Sequence, residues 1–317
     1  HRTKREPRGA IGSLIQFDGS PHDWFEGRRP ECCLLLAIDD ASNLIMPRFV
    51  PVEDTGHVLA FWRDYVERLG IPAEVYTDRG SVYVNTDNPE RLTPFGSAMA
   101  ALGIRHIKAR SPQAKGRVER SNRTHQDRLI KALRERNIST REDANRFLEQ
   151  CYTQAHNQRF AHPDGLTNIH RSASGLDLAN IFCIEHTRHV YNDWTITLNA
   201  QFIQLLKSDA PLPPPRSQVS VRQHLDGSLH IFWNEHELAF ELLTKRPKPV
   251  PTLPRPPAPD HPWRSKLVGG ATALRRRQKT LASKHTDSYD STRSKTSPRK
   301  GSTRYARSAF PSTNAAP

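Results

Sequence analysis

The stretch Glu31–Ile38 reads Glu-Cys-Cys-Leu-Leu-Leu-Ala-Ile, an almost unbroken apolar run between Pro30 and Asp39-Asp40. A run of this length and composition is that of a strand buried on both faces, so the chain must supply cover on two sides of a sheet. Its neighbours fit. Ser13–Phe17 is apolar enough for a strand ending at Asp18-Gly19-Ser20, followed by a polar loop, Pro21–Pro30, that holds Trp24 and Phe25. After the Ala41-Ser42-Asn43 turn, Leu44–Val52 makes a third strand. The period then changes: Val58, Leu59, Trp62, Tyr65, Val66 and Leu69 recur at helical spacing until Gly70 and Pro72 stop them. Ala73–Thr77 is a short strand ending at Asp78, and Gly80–Arg91 is a polar loop. Thr93-Pro94 opens a short helix through Leu102, and Ile104–Ala109 is a fifth strand. Hairpin-linked strands followed by helical crossovers predict a mixed five-stranded α/β sheet with flanking helices.

The segment Ser111–Arg123 follows, with Pro112 at a first-turn position and Ser111 placed to cap. Val118, Leu129, Ala132 and Leu133 then form one apolar stripe on a helix running to about Arg136. Ser139 and Glu142 are spaced as a capping box, and Ala144, Phe147, Leu148, Cys151 and Ala155 mark another amphipathic helix. From Gly175 to Leu243 short apolar runs alternate with turn chemistry, Asp226-Gly227 above all. We expect a small antiparallel barrel of about five strands: 194–198, 202–206, 218–222, 229–233 and 238–242. Beyond Lys245 the chain is Pro-rich, then rich in Ser, Thr, Arg and Lys, and is expected to be disordered. The predicted division is a linker at 1–11, a core at 12–174, the barrel at 175–245 and the tail at 246–317.

Charge is unevenly placed. Of the net +14, residues 246–317 carry +13, from 16 Lys and Arg against 3 Asp and Glu. Within the nearly neutral remainder, Arg105–Arg136 holds 11 basic and 3 acidic side chains. One basic stripe on a folded body, with a basic tail, points to nucleic acid as partner. No apolar run approaches the roughly 20 residues of a membrane span, so no membrane role is expected. The four cysteines show no metal-ligand spacing, and the adjacent pair Cys32-Cys33 reads as core packing in a reducing, cytoplasmic setting.

Three carboxylates bear on chemistry. Asp18 and Asp78 each follow a predicted strand, where an open sheet presents side chains to ligands. Glu119 is the one acidic residue in Ser111–Arg123, among Lys115, Arg117, Arg120 and Arg123. Each has a plainer reading: Asp18-Gly19 and Asp78-Arg79-Gly80 are ordinary turn chemistry, and a Glu beside arginines is common on solvated helices. Taken together they would converge at the sheet edge, where mutual repulsion favours a divalent cation. An all-oxygen set suits Mg²⁺ or Mn²⁺, and two such ions serve phosphodiester chemistry.

At these residues the chain resembles the DDE transposase/retroviral-integrase superfamily, and in particular bacterial insertion-sequence transposases with an integrase core. The matching pieces are Gln16–Ser20, His22 with Trp24–Gly27, Ile38–Ser42, Tyr76–Arg79 and, most specifically, Ser111–Arg120. The resemblance runs from about Gly12 to Arg171 and more weakly to Arg264. It implies an RNase H-like fold, with Asp18, Asp78 and Glu119 as a catalytic triad that holds two Mg²⁺ (or Mn²⁺) ions. It also implies DNA contacts by Gln113, Lys115, Arg117, Arg120 and Arg123, and assembly as a homo-oligomer on transposon ends and target DNA. Asp39 and Asp40 match a family motif outside the triad and are assigned to the hairpin after the second strand. Two departures stand out. The interval from Asp78 to Glu119 exceeds the family's usual gap, with Val82–Leu92 as the extra loop, and the N-terminal helix-turn-helix region is missing. The expectation is a cytoplasmic, nucleoid-associated polynucleotidyl transferase, in a truncated copy with an intact core. The alternatives are a catalytically silent DNA-binding remnant and a purely hydrolytic RNase H-like nuclease.

Overall fold

The computed structural model describes residues 6–88, 90–109, 116–208 and 211–245, with the side chains of 116–120 outside the description. The strands β1 (Ile15–His22), β2 (Cys32–Asp39), β3 (Ile45–Val50), β4 (Glu74–Thr77) and β5 (Arg105–Lys108) form one sheet in the order β3-β2-β1-β4-β5. The first three are antiparallel, and β4 and β5 join parallel to β1. This is the mixed sheet that the alternation of strands and helices predicts.

All eight residues of β2 are buried, because both faces of the sheet are covered. On one face Phe17, Leu35 and Val75 pack against α1 (Thr55–Leu69) and α2 (Pro94–Ala101). Asp54 caps α1 by accepting the His57 amide, and Gly70 ends it at φ +95°, a conformation that disfavours any other residue. On the other face Cys32, Leu34 and Phe49 meet Leu129 and Leu133 of α3 (Gly116–Glu135) and Ala144, Phe147 and Leu148 beyond it. Cys32 and Cys33 therefore point into opposite cores, and both are free thiols. Each fully buried Leu or Phe contributes roughly 1.5–3 kcal/mol to this arrangement.

Several local expectations are corrected. The first strand does not stop at Phe17 but continues to His22, so Asp18 stands within β1, paired with Leu36 of β2. The long apolar edge of β2 offers a ladder partner to every residue of the Asp-Gly-Ser-Pro sequence and overrides its turn propensity. Pro21 is tolerated because β4 pairs with β1 only along Ile15 and Gln16. Trp24 and Phe25, placed in a polar loop by sequence, are core residues at 0% and 1% exposure. Tyr83, in the polar segment after Asp78, is likewise buried.

The cap of α4 (Arg141–Phe147) is Thr140, not Ser139; its hydroxyl oxygen accepts the Asp143 amide at 3.1 Å. A π-helical turn, Leu148–Tyr152, follows before α5 (Thr153–Phe160). The wider turn rotates the face that follows it, which leaves Cys151 and Ala155 exposed and brings Tyr152 and His156 toward α3. The expected cap at Ser111 lies outside the described residues, as does the tail at 246–317.

After α6 (Leu178–Ile181) come β6 (Ile184–His189), β7 (Thr195–Leu198), β8 (Gln201–Leu205), β9 (Gln218–Gln223), β10 (Leu229–Trp233), β11 (His236–Leu238) and β12 (Phe240–Leu243). They form two antiparallel sheets, β11-β10-β9-β6 and β12-β8-β7, around one apolar cluster, in place of a single five-stranded barrel. The chain crosses between sheets at Ala239, so the predicted strand 238–242 is split. Strand β6, with one strong apolar residue in Ile-Glu-His-Thr-Arg-His, carries little sequence signal. The Asp226-Gly227 turn closes the β9–β10 hairpin as expected, with Gly227 at φ +86°.

Candidate active site

Strand register sets the first two carboxylates. Ile15 pairs with Val75 and Gln16 with Tyr76 in a parallel ladder, so the same register carried two residues further sets Asp18 level with Asp78. Adjacent strands lie about 4.8 Å apart, and residues of equal parity share a face. That face is opposite Phe17 and Val75, which point into the core under α1 and α2. Asp18 and Asp78 are both half-buried. The turn after β4 is held by its own aspartate: Asp78 Oδ1 accepts the Gly80 amide at 2.8 Å. Thr77 is fully buried; its hydroxyl donates to the Asp78 carbonyl at 2.9 Å and lies 2.8 Å from His106 Nε2. Burial, then the nearby Lys108 charge, lowers the His106 pKa to about 4, so the imidazole is neutral at physiological pH.

The helix α3 crosses this same face. Asn122 Nδ2 donates to Asp18 Oδ2 at 3.1 Å, and Gln126 Nε2 donates to Ser20 Oγ at 3.2 Å. Asn122, Gln126, Leu129 and Leu133 recur every three to four residues, which defines the side of α3 that meets the sheet. Position 119 lies on the same row, one turn before Asn122. Asn122 is buried, and its Oδ1 has no hydrogen-bond partner among the described residues. One turn along α3, His125 is fully buried between Ser121 Oγ at 3.1 Å and Tyr152 Oη at 2.9 Å, with the His156 ring tilted against it at 4.7 Å between centroids. Burial, His156 and Arg128 together depress the His125 pKa to about 3.

Among the predicted nucleic-acid contacts, Gln113 and Lys115 lie outside the described residues, as do the side chains of Arg117 and Arg120; Arg123 is exposed. Farther along α3 the cations are engaged: Lys131 pairs with Asp127 at 2.5 Å and Arg134 with Glu26 at 3.1 Å. Among the described residues no three His, Cys, Asp or Glu side chains gather closely enough to hold a metal. Asp18 and Asp78 stand level on one face of the sheet, and the side chain at position 119 lies outside the described residues. An all-oxygen pair with a buried, unpartnered amide oxygen beside it fits a hard divalent cation.

Asp39 and Asp40 serve architecture. Asp39 Oδ1 accepts the Ser42 amide and hydroxyl at 2.8 and 2.7 Å, and its Oδ2 accepts the Gly12 amide at 2.7 Å. Asp40 accepts Gln16 Nε2 and the Arg8 amide at 2.8 and 2.9 Å, tying the N-terminal segment to the sheet.

Sequence reasoning missed Asn122, Glu53 and Tyr83. Asn122 was findable, because it stands one helical turn after Glu119. Glu53 and Tyr83 give no sequence signal; only the fold brings them together. The Tyr83 hydroxyl donates to Glu53 Oε1, and burial pushes the phenol well above its ordinary pKa, with the Glu53, Asp78 and Asp18 carboxylates adding to the shift. Burial likewise raises the Cys33 thiol to about 12, with Glu53 and Asp18 contributing.

No family model matches the chain. It is 35% identical over 255 residues to the putative transposase y4bF of Sinorhizobium fredii, covering 77% of this chain and 56% of that protein. It is 40% identical over 167 residues to the transposase for insertion sequence IS1202 of Streptococcus pneumoniae, covering 49% of this chain and 34% of that protein. The chain thus spans about half or less of the length of these curated relatives. Among solved structures, the HTLV-2 integrase catalytic core domain in complex with magnesium aligns over 45% of this chain and 91% of its own, at 19% identity and a TM-score of 0.36. Over most of its length, therefore, the chain is similar to bacterial proteins named as transposases.

Proposed function

We propose that this chain is a polynucleotidyl transferase that cuts DNA and joins the new end to a second DNA, on an RNase H-like core spanning about 12–174. The single observation that carries this reading is the β1–β4 register that sets Asp18 level with Asp78 under α3, whose Asn122 grips Asp18. Asp18, Asp78 and Glu119 would hold one or two Mg²⁺ or Mn²⁺ ions, which when bound lower the pKa of a nucleophile and neutralise charge on the leaving oxygen. The protein's own part is positioning. The rigid sheet fixes the two aspartates, Asn122 orients the Asp18 carboxylate, and the packing of Leu129 and Leu133 holds α3 over the site.

In this reading a water or a DNA 3′-hydroxyl attacks phosphorus, the phosphorus–oxygen bond opposite it breaks, and the nucleophile's proton passes to solvent. Gln113, Lys115, Arg117, Arg120 and Arg123 would grip the phosphates near the scissile bond. The residues at 175–245 would support the DNA or a second copy of the chain, and the tail at 246–317 would add sequence-independent attraction to phosphates. The relatives named as transposases support this reading, and the resemblance to integrases implies assembly as a homo-oligomer on transposon ends and target DNA. No described helix is long and apolar enough to cross a membrane. The test is incubation of the chain and Mg²⁺ with DNA carrying candidate element ends: joined product supports the transferase, and nicking without joining supports a hydrolytic nuclease.

A further inference from the structure

Asp18 is held from the face opposite α3 as well. Its neighbours Phe17 and Gly19 point into the layer under α1 and α2, where two residues outside the proposed triad meet them. The Tyr83 ring lies edge-on to Phe17 at 6.0 Å between centroids and to Phe95 at 5.2 Å. The Glu53 carboxyl group lies against Gly19 so closely that a Cβ added there would overlap it. Tyr83 Oη donates to Glu53 Oε1, so the two contacts are one linked unit. The unit reaches the second aspartate as well: the Tyr83 amide donates to the Gly80 carbonyl at 2.9 Å, and the Gly80 amide donates to Asp78 Oδ1 at 2.8 Å.

A continuous path therefore runs from the backbone at Gly19 through Glu53, Tyr83 and Gly80 to Asp78, closed by the β1–β4 ladder. We infer that Glu53 and Tyr83 are positioning residues that brace the spacing of Asp18 and Asp78, and so set the affinity of the site for its divalent cation. This rests on the metal reading above. Tyr83 comes from the loop between β4 and α2, which gives that loop a task in the site. A Cβ at Gly19 would meet the Glu53 carboxyl group, so a side chain there displaces Glu53 from this contact.

The brace makes a prediction that ordinary core packing does not. Tyr83→Phe keeps the ring and the Glu53 charge and removes only the link; Glu53→Gln keeps the size and removes the charge. The probe is Mn²⁺ alone, titrated into the full chain and followed by electron paramagnetic resonance, with thermal melts run in parallel. Each variant should weaken Mn²⁺ binding about tenfold, the low end of the effect of groups that orient metal ligands. The double variant should be no weaker than the poorer single one, because both break the same path. Gly19→Ala, which expels Glu53, should match them. Asp18→Asn is the reference for the site itself. If Asp18→Asn abolishes binding while Tyr83→Phe and Glu53→Gln keep the wild-type affinity, the brace is overturned and the metal reading stands. If Asp18→Asn leaves Mn²⁺ binding unchanged, the metal reading and the brace fall together. Lowered melting temperatures with unchanged affinity in the folded variants would reduce Tyr83 and Glu53 to core packing and overturn the inference.

Discussion

Acidification should loosen the helix that carries Glu119, and one histidine gives the size of the effect. His125 is 0% exposed on α3, three residues past Asn122, and its folded pKa is lowered to about 3 by burial first and then by His156 and Arg128. An unfolded chain protonates the same imidazole near 6.5. Between those values the unfolded state binds a proton that the folded state refuses. The stability this group leaves intact is therefore fully present above about pH 6.5 and is lost as pH falls toward 3. The slope approaches about 1.4 kcal/mol per pH unit, so from pH 7 to pH 5 His125 alone should cost about 2 kcal/mol. The assay is urea unfolding followed by circular dichroism at both pH values, for the wild type and for His125→Gln. Carboxylates common to both proteins cancel in the double difference, which should leave about 2 kcal/mol less acid sensitivity in the variant. Equal acid sensitivity in the two proteins would refute the reasoning, because His125 would then titrate alike folded and unfolded.

Three further outcomes follow from the same geometry. Leu133→Ala empties a fully buried site between α3 and the sheet and should cost about 3 kcal/mol in urea unfolding, within the usual range for such truncations. Asn122→Ala removes the amide that holds Asp18, and should lower the metal-dependent cleavage rate while leaving DNA affinity in a gel-shift assay unchanged. Lys115→Ala with Arg120→Ala should weaken DNA binding and reduce the slope of log affinity against log salt by about 2, as two lost phosphate contacts require.

The α/β sheet was legible because its signals agree. The apolar run at 31–38, the helical period from Val58 to Leu69 and the Gly70 stop all describe the elements that form. The site was legible in part. Asp78 stands where the sequence places it, just past β4, whereas Asp18, expected just past the end of its strand, stands within β1, because pairing with β2 outweighs local propensity. What could not be read are relations across the fold. Nothing in Val-Glu-Asp or Val-Tyr-Val says that Glu53 and Tyr83 touch, and the π-helical turn at 148–152 moves a face that simple periodicity had assigned to Cys151 and Ala155. In the second half, strands as polar as β6 are specified by their neighbours, not by their own pattern.

The central claim is that Asp18, Asp78 and Glu119 act as one metal-dependent site on DNA. The most direct test is DNA cutting and joining by the full chain against Mg²⁺ concentration, with Asp18→Asn, Asp78→Asn and Glu119→Gln compared at saturating DNA. The account predicts product only with the cation, and a loss of roughly a thousandfold in each variant, the rate equivalent of several kcal/mol of charge stabilisation. DNA binding should persist in all three. Product formed without divalent cation, or full activity in any one of the variants, would contradict it.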